Sequence, residues 1–163
     1  MKAIKRISLT FCLITTIAVA AAAQNALSAP PAVTAGPGST QTQKSLYERL
    51  GGYNAIAAVV DDFIGRLVSD KQLAPFFQGH STDSLKKIRQ HVVDQICEGA
   101  GGPCIYTGRD MKTSHKGLGI TEAQWDASAK HLVETLDKFK VPAKEKDEVL
   151  AFVSTLKKDI VEK

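Results

Sequence analysis

Cysteine is scarce, three residues in a chain of 163, and glycine is limited to 12. That excludes both a disulfide-dense small scaffold and collagen-like order. Apolar residues are not lacking: at 44%, with 23% charged, the composition is average for a globular protein and argues against wholesale disorder. No apolar run is long enough for a membrane helix. The N-terminal candidate, residues 7–23, is broken by Ser8, Thr10, Thr15 and Thr16 and falls short of the roughly 20 residues that span a bilayer. Chemical signatures are missing too. There is no Gly-x-Ser-x-Gly elbow, phosphate loop, dinucleotide fingerprint or His-Glu-x-x-His pair.

The formal charge of +4 would suggest an anionic partner if it belonged to the folded domain. It belongs to the N-terminus. Lys2, Lys5 and Arg6 precede the uncharged stretch, which closes on Ala20, Ala21, Ala22 and Ala23; a basic start, an apolar middle and a small-residue end make a secretory signal. The alternative is an uncleaved anchor; cleavage near Ala23 is the reading adopted, giving an exported, periplasmic protein without a stable membrane anchor. Without those three residues, 18 of the 21 basic residues face 17 acidic ones, a net of +1, and nucleic-acid binding loses its support. Cys12 leaves with the signal. Cys97 and Cys104 then stand either as two separate thiols or, as we expect in an oxidising compartment, as a disulfide.

Residues 24–44 are Ala, Pro, Ser, Thr, Gln and Gly with almost no charge, a composition expected to form a tether. Residues 45–163 read as one all-α domain. Val59, Val60, Phe63, Ile64, Leu67 and Val68 form an amphipathic stripe opened by Gly51 and Gly52. Leu85, Ile88, Val92 and Ile96 form a second, stopped by Gly99 and by Gly101-Gly102-Pro103. Thr121 and Gln124 fit a capping box before Trp125, Leu132, Val133 and Leu136. Pro142 suits a first helical turn, followed by a last stripe of Val149, Phe152, Val153, Leu156 and Ile160. A glycine-rich connection joins Gly99 to Gly119.

Residue pattern says less about chemistry. Asp61 and Asp62 are adjacent, face different directions on a helix and read as a solvated face. His80 and His131 read as surface residues. His91 lies about one-sixth of a turn from the stripe residue Ile88, and His115 follows Met111 in a short segment between Gly108 and Gly117. Each of these two is either a structural histidine or a ligand.

Several motifs in order carry the reading further. Leu46-Tyr47-Glu48-Arg49-Leu50-Gly51-Gly52 precedes the first long helix and Phe76-Phe77 the second. Then follows Gly101-Gly102-Pro103-x-x-Tyr106-x-Gly108-x-x-Met111-x-x-x-His115-x-x-x-x-Ile120. The chain resembles the group 1 truncated haemoglobins across residues 45–160. The resemblance implies a truncated globin fold, a two-over-two helical sandwich around haem b (iron protoporphyrin IX), with His115 as the proximal iron ligand through a neutral imidazole. It implies that glycine pairs hold the proximal segment extended. By the same resemblance Phe63, Phe77, Ile88, Val92, Met111, Leu118, Ile120 and Trp125 line the haem, although each also suits ordinary core packing, and Tyr106 and Lys112 reach the propionates.

The departures from that family matter for function. Ile64 stands where many relatives carry a tyrosine that hydrogen-bonds bound oxygen, and Ile88 and Val92 stand where glutamines are common. One such hydrogen bond is worth roughly 1.5–3 kcal/mol, about ten- to a hundred-fold in affinity, so tenacious oxygen storage is not expected. His91, 24 residues before His115, matches the separation of relatives with a second histidine on iron; it either coordinates as a sixth ligand or swings out to a propionate or solvent. The expected role is reversible binding of oxygen, nitric oxide or carbon monoxide, with no catalytic residue assigned, by a monomer that depends on an unidentified reductant. The alternatives are a nitric oxide- or peroxide-consuming haem enzyme, a bis-histidine electron-transfer module and a haem-free interaction domain.

Overall fold

The computed structural model describes residues 43–163. The signal-like stretch 1–23 and nearly all of the tether 24–44 lie outside the described residues. Among the described residues all regular structure is helical: α1 (Leu46–Arg49), α2 (Gly52–Ser69), a 3-10 turn (Ala74–Phe77), α3 (Thr82–Gly99), α4 (Met111–His115), α5 (Glu122–Lys138), α6 (Ala143–Ser154) and α7 (Lys157–Ile160).

Local chemistry starts these helices. Ser45 and Glu48 form a capping box on α1, and Thr121 and Gln124 form the expected one on α5. Ser81 accepts from the Ser84 amide to cap α3, and Asp110 accepts from the Thr113 amide at 2.8 Å to cap α4. Gly51, at φ 94°, supplies the left-handed turn into α2.

α2 is the central element and packs on both sides. One face meets α3, burying Ile56, Ala57, Val60, Val93 and Cys97. Its other face contributes Val59 and Phe63 to a cluster built on Leu132, Leu136 and Val149 of α5 and α6. The α2–α3 and α5–α6 pairs make the expected two-over-two sandwich. Polar contacts lock its edges. Arg49 donates to Glu145 at 2.5 Å and to Glu148, tying α1 to α6. Arg66 donates to Asp62 at 2.8 Å and to Glu134 at 2.7 Å, tying α2 to α5.

Cys97 and Cys104 are disulfide-bonded, as expected, with Cα atoms 5.7 Å apart. Cys97 is fully buried, and the bond pins the connection after α3 against the core. Gly102 is needed there, because a Cβ would fall 2.5 Å from Tyr47 and 2.8 Å from the Cys97 sulfur.

The structure corrects several expectations. The proximal segment is not extended throughout: its last five residues before Lys116 coil into α4, which Asp110 caps. Pro142 is the residue before α6 rather than part of its first turn. The last stripe is two helices, broken where the backbone amides of Thr155 and Leu156 bond three residues back, to Phe152 and Val153. Asp62 is not a solvated face: it is 16% exposed and accepts from Arg66, Lys138 and buried Thr135. Its neighbour Asp61 does stay open, at 58%, and pairs with Arg89. His131 is no free surface residue either, since its Nε2 lies 2.8 Å from the Asp70 carboxylate.

Candidate functional site

Between the two helix pairs lies a cavity of about 750 Å³, within the size range of cofactor and ligand sites. Phe63 and Ile64 enter it from α2, and Phe77 from the 3-10 turn. Ile88, His91 and Val92 come from α3, and Met111 and His115 from α4. Tyr106, Leu118, Ile120 and Trp125 complete the predicted set. Lys112 is the exception. It is exposed on the outer side of α4 and is not among the lining side chains; on so short a helix, Met111 and His115 take the inner side.

Sequence reasoning passed over other lining residues. Gln95 sits one helical turn past His91 on α3, and that i, i+4 spacing was the signal available. Leu156 and Ile160 come from the last stripe. Arg109 and His80 bring positive or titratable groups to the cavity wall, and no periodicity marks either loop residue.

The two inward histidines are held differently. His115 Nδ1 lies 2.9 Å from the Met111 carbonyl one turn earlier on α4. A carbonyl only accepts, so Nδ1 carries the proton and Nε2 is left with a free lone pair. His91 Nδ1 is buried without a hydrogen-bond partner among the described residues. The His91 ring is braced by Tyr106, whose ring meets it edge-on at 5.8 Å.

Tyr106 is fixed in turn, because its hydroxyl donates to the Arg109 carbonyl at 2.6 Å. The phenol is therefore already engaged rather than free for a propionate, and burial pushes its pKa above the ordinary value. Backbone and hydroxyl donors of Thr113 hold the Asp110 carboxyl below the usual range, as an anion at the positive end of α4.

An apolar chamber into which α4 brings one imidazole nitrogen freed by its anchored partner and α3 brings a second imidazole, with Arg109 also in its lining, offers the donors that a haem takes. The residues present fit that group.

Comparisons with known proteins point the same way. Residues 45–162 match the family model described as bacterial-like globin. The chain is 36% identical over 116 residues to a group 1 truncated haemoglobin of Mycolicibacterium paratuberculosis, covering 71% of this chain and 83% of that protein. It is 38% identical over 119 residues to the one from Nostoc commune, covering 73% and 98%. Among solved structures, Tetrahymena pyriformis truncated haemoglobin in its Fe(III) form superposes with a TM-score of 0.67 at 29% identity, covering 74% of this chain and 100% of that one. The 2/2 haemoglobin of Synechococcus sp. PCC 7002, a cyanomet form with covalently attached haem, gives 0.67 at 31% identity over the same shares.

Proposed function

The chain belongs to the group 1 truncated haemoglobins, within the bacterial-like globins, and from that premise we propose that it binds oxygen or another diatomic gas reversibly at a haem held by His115. It is a haem-binding globin, and haem b is its cofactor. The haem supplies an iron centre at which a small gas binds; the chain supplies everything that orients and restricts that site. The observation that carries the assignment of His115 is its Nδ1 contact with the Met111 carbonyl at 2.9 Å. It fixes the tautomer and aims one lone pair, as the partners of ligating histidines do.

The opposite wall is poor in donors. Ile64, Ile88 and Val92 line it, Tyr106 is committed to Arg109, and the polar side chains that α2 and α3 bring to the cavity are His91 and Gln95. We take His91 as a sixth ligand. Without an anchor on Nδ1, His91 would hold a bound haem less firmly than His115. The same two-histidine arrangement supports a second reading, an electron-transfer role in which no ligand is exchanged.

Export to the periplasm remains part of the proposal. The basic-apolar-small order of residues 1–23 supports it, as does a disulfide between the only two cysteines beyond that stretch. We take the working form to be a monomer served by an external reductant.

Absorption spectra of the haem-loaded chain, ferric and then dithionite-reduced, test the ligands. The expected result is a low-spin six-coordinate wild type, a high-spin His91→Ala variant, and loss of the native spectrum in His115→Ala. A high-spin wild type that His91→Ala leaves unchanged removes the sixth ligand. An unchanged spectrum in His115→Ala overturns the proximal assignment.

A further inference from the structure

Immediately after His115 the chain makes a turn that another part of the molecule holds in place. Gly117 and Gly119 adopt φ +83° and +64°, conformations that L side chains rarely take, and the Leu118 amide bonds back to the His115 carbonyl at 3.1 Å. The two glycine amides then face one acceptor. Glu162 receives both, Gly117 N–H on Oε1 at 2.7 Å and Gly119 N–H on Oε2 at 2.5 Å. This is a backbone nest filled by the protein's own carboxylate.

Three backbone bonds align the same stretch. Glu162 and Lys163 amides donate to the Ile120 carbonyl at 2.8 and 3.2 Å, and the Glu122 amide donates to the Lys163 carbonyl at 3.1 Å. Leu118, between the two glycines, lines the cavity, as does Ile160, two residues before Glu162.

We propose that Glu162 is a positioning residue for His115: its carboxylate, shared by the Gly117 and Gly119 amides, fixes the turn that presents the imidazole and so governs haem retention and the iron–histidine bond. The inference rests on His115 being the haem ligand. Two donors to one ionised acceptor are stronger than neutral bonds. They also hold the Glu162 carboxyl below the usual glutamate range.

The test uses the haem-loaded chain in a His91→Ala background, so that only the His115 side ligates iron. Two quantities are read: the iron–histidine stretching band of the reduced protein by resonance Raman, and the rate of haem transfer to excess apomyoglobin. Replacement of a group that orients a metal ligand typically costs 10- to 100-fold in affinity. Glu162→Ala should therefore release haem about ten-fold faster or more, with a shifted, broadened band.

Glu162→Gln should fall between, because its amide oxygen accepts from one glycine while its NH₂ faces the other. It also carries the test should Glu162→Ala fold poorly. A contact that merely adds stability would lower Tm and leave the band where it was. That result, in a protein whose band disappears in His115→Ala, overturns the role of Glu162 alone. A band that survives His115→Ala overturns the proximal assignment and this inference with it.

Discussion

The two histidines of the site differ at one nitrogen, and that difference sets their expected behaviour. Met111 is four residues before His115, so a helical turn is enough to place its carbonyl at Nδ1; the sequence shows both residues in one motif, but the expectation of an extended segment hid the contact. The brace on His91 was not legible, because Tyr106 reaches it from a loop whose path is set by the Cys97–Cys104 bond. An edge-to-face aromatic contact contributes about 0.5–1.5 kcal/mol, equivalent to roughly 2- to 13-fold in an equilibrium constant. Tyr106→Leu should therefore reduce His91 coordination by about that factor. The low-spin fraction of the ferric protein falls and carbon monoxide binding to the reduced protein accelerates; stopped-flow traces identical to wild type would show that the ring plays no part. Tyr106→Phe keeps the ring and loses only the bond to Arg109, so it should lie nearer wild type.

At the scale of helices, α2, α3 and α5 were legible because long amphipathic stripes agree with a boundary signal: an opening glycine pair, a glycine-proline stop and a capping box. α4 was hidden because five residues are too few for periodicity to register; its start depends on Asp110 and its place on the fold around it. Polar networks were hidden for a related reason: the partners of Asp62 come from α2 and α5 together. Arg66 first, then Lys138 and Thr135, hold the Asp62 carboxyl down to about 2 from an unperturbed 3.8. A carboxylate depressed in the folded state adds stability that is present above the unfolded value and is lost as pH falls through the folded one. The Asp62 contribution thus fades between about pH 4 and pH 2. Asp62→Asn removes it at neutral pH, so chemical denaturation curves should show a less stable variant at pH 7. The gap from wild type should then narrow as the pH is lowered through that window. A gap that stays constant with pH would mean the ion pairs add nothing on folding.

For the molecule as a whole, the cavity divides the fold into a part that packs by itself and a part that needs its cofactor. Val60, Val93, Cys97 and Thr135 are fully buried by the chain's own side chains, so the contacts of α2 with α3 and α5 are complete within the chain. α4, through Met111 and His115, and α7, through Ile160, turn toward the cavity rather than toward that core, as does Leu118. Regions with few buried apolar contacts open locally at low free-energy cost, whereas a ligand that binds only the closed form opposes opening. In the haem-free protein, amides of residues 111–120 and 157–163 should therefore exchange with solvent at least about ten-fold faster than those inside α2 and α3, about 1.4 kcal/mol cheaper to open. Haem should slow them by a similar factor or more. Hydrogen exchange followed by mass spectrometry resolves both segments. Equal protection of both parts before haem is added would show that the bonds from Glu162 and the 161–163 stretch already hold the proximal side shut. Fast exchange slowed by haem would instead make cofactor binding and the ordering of that side a single event, in which the chain completes its fold around the group it carries.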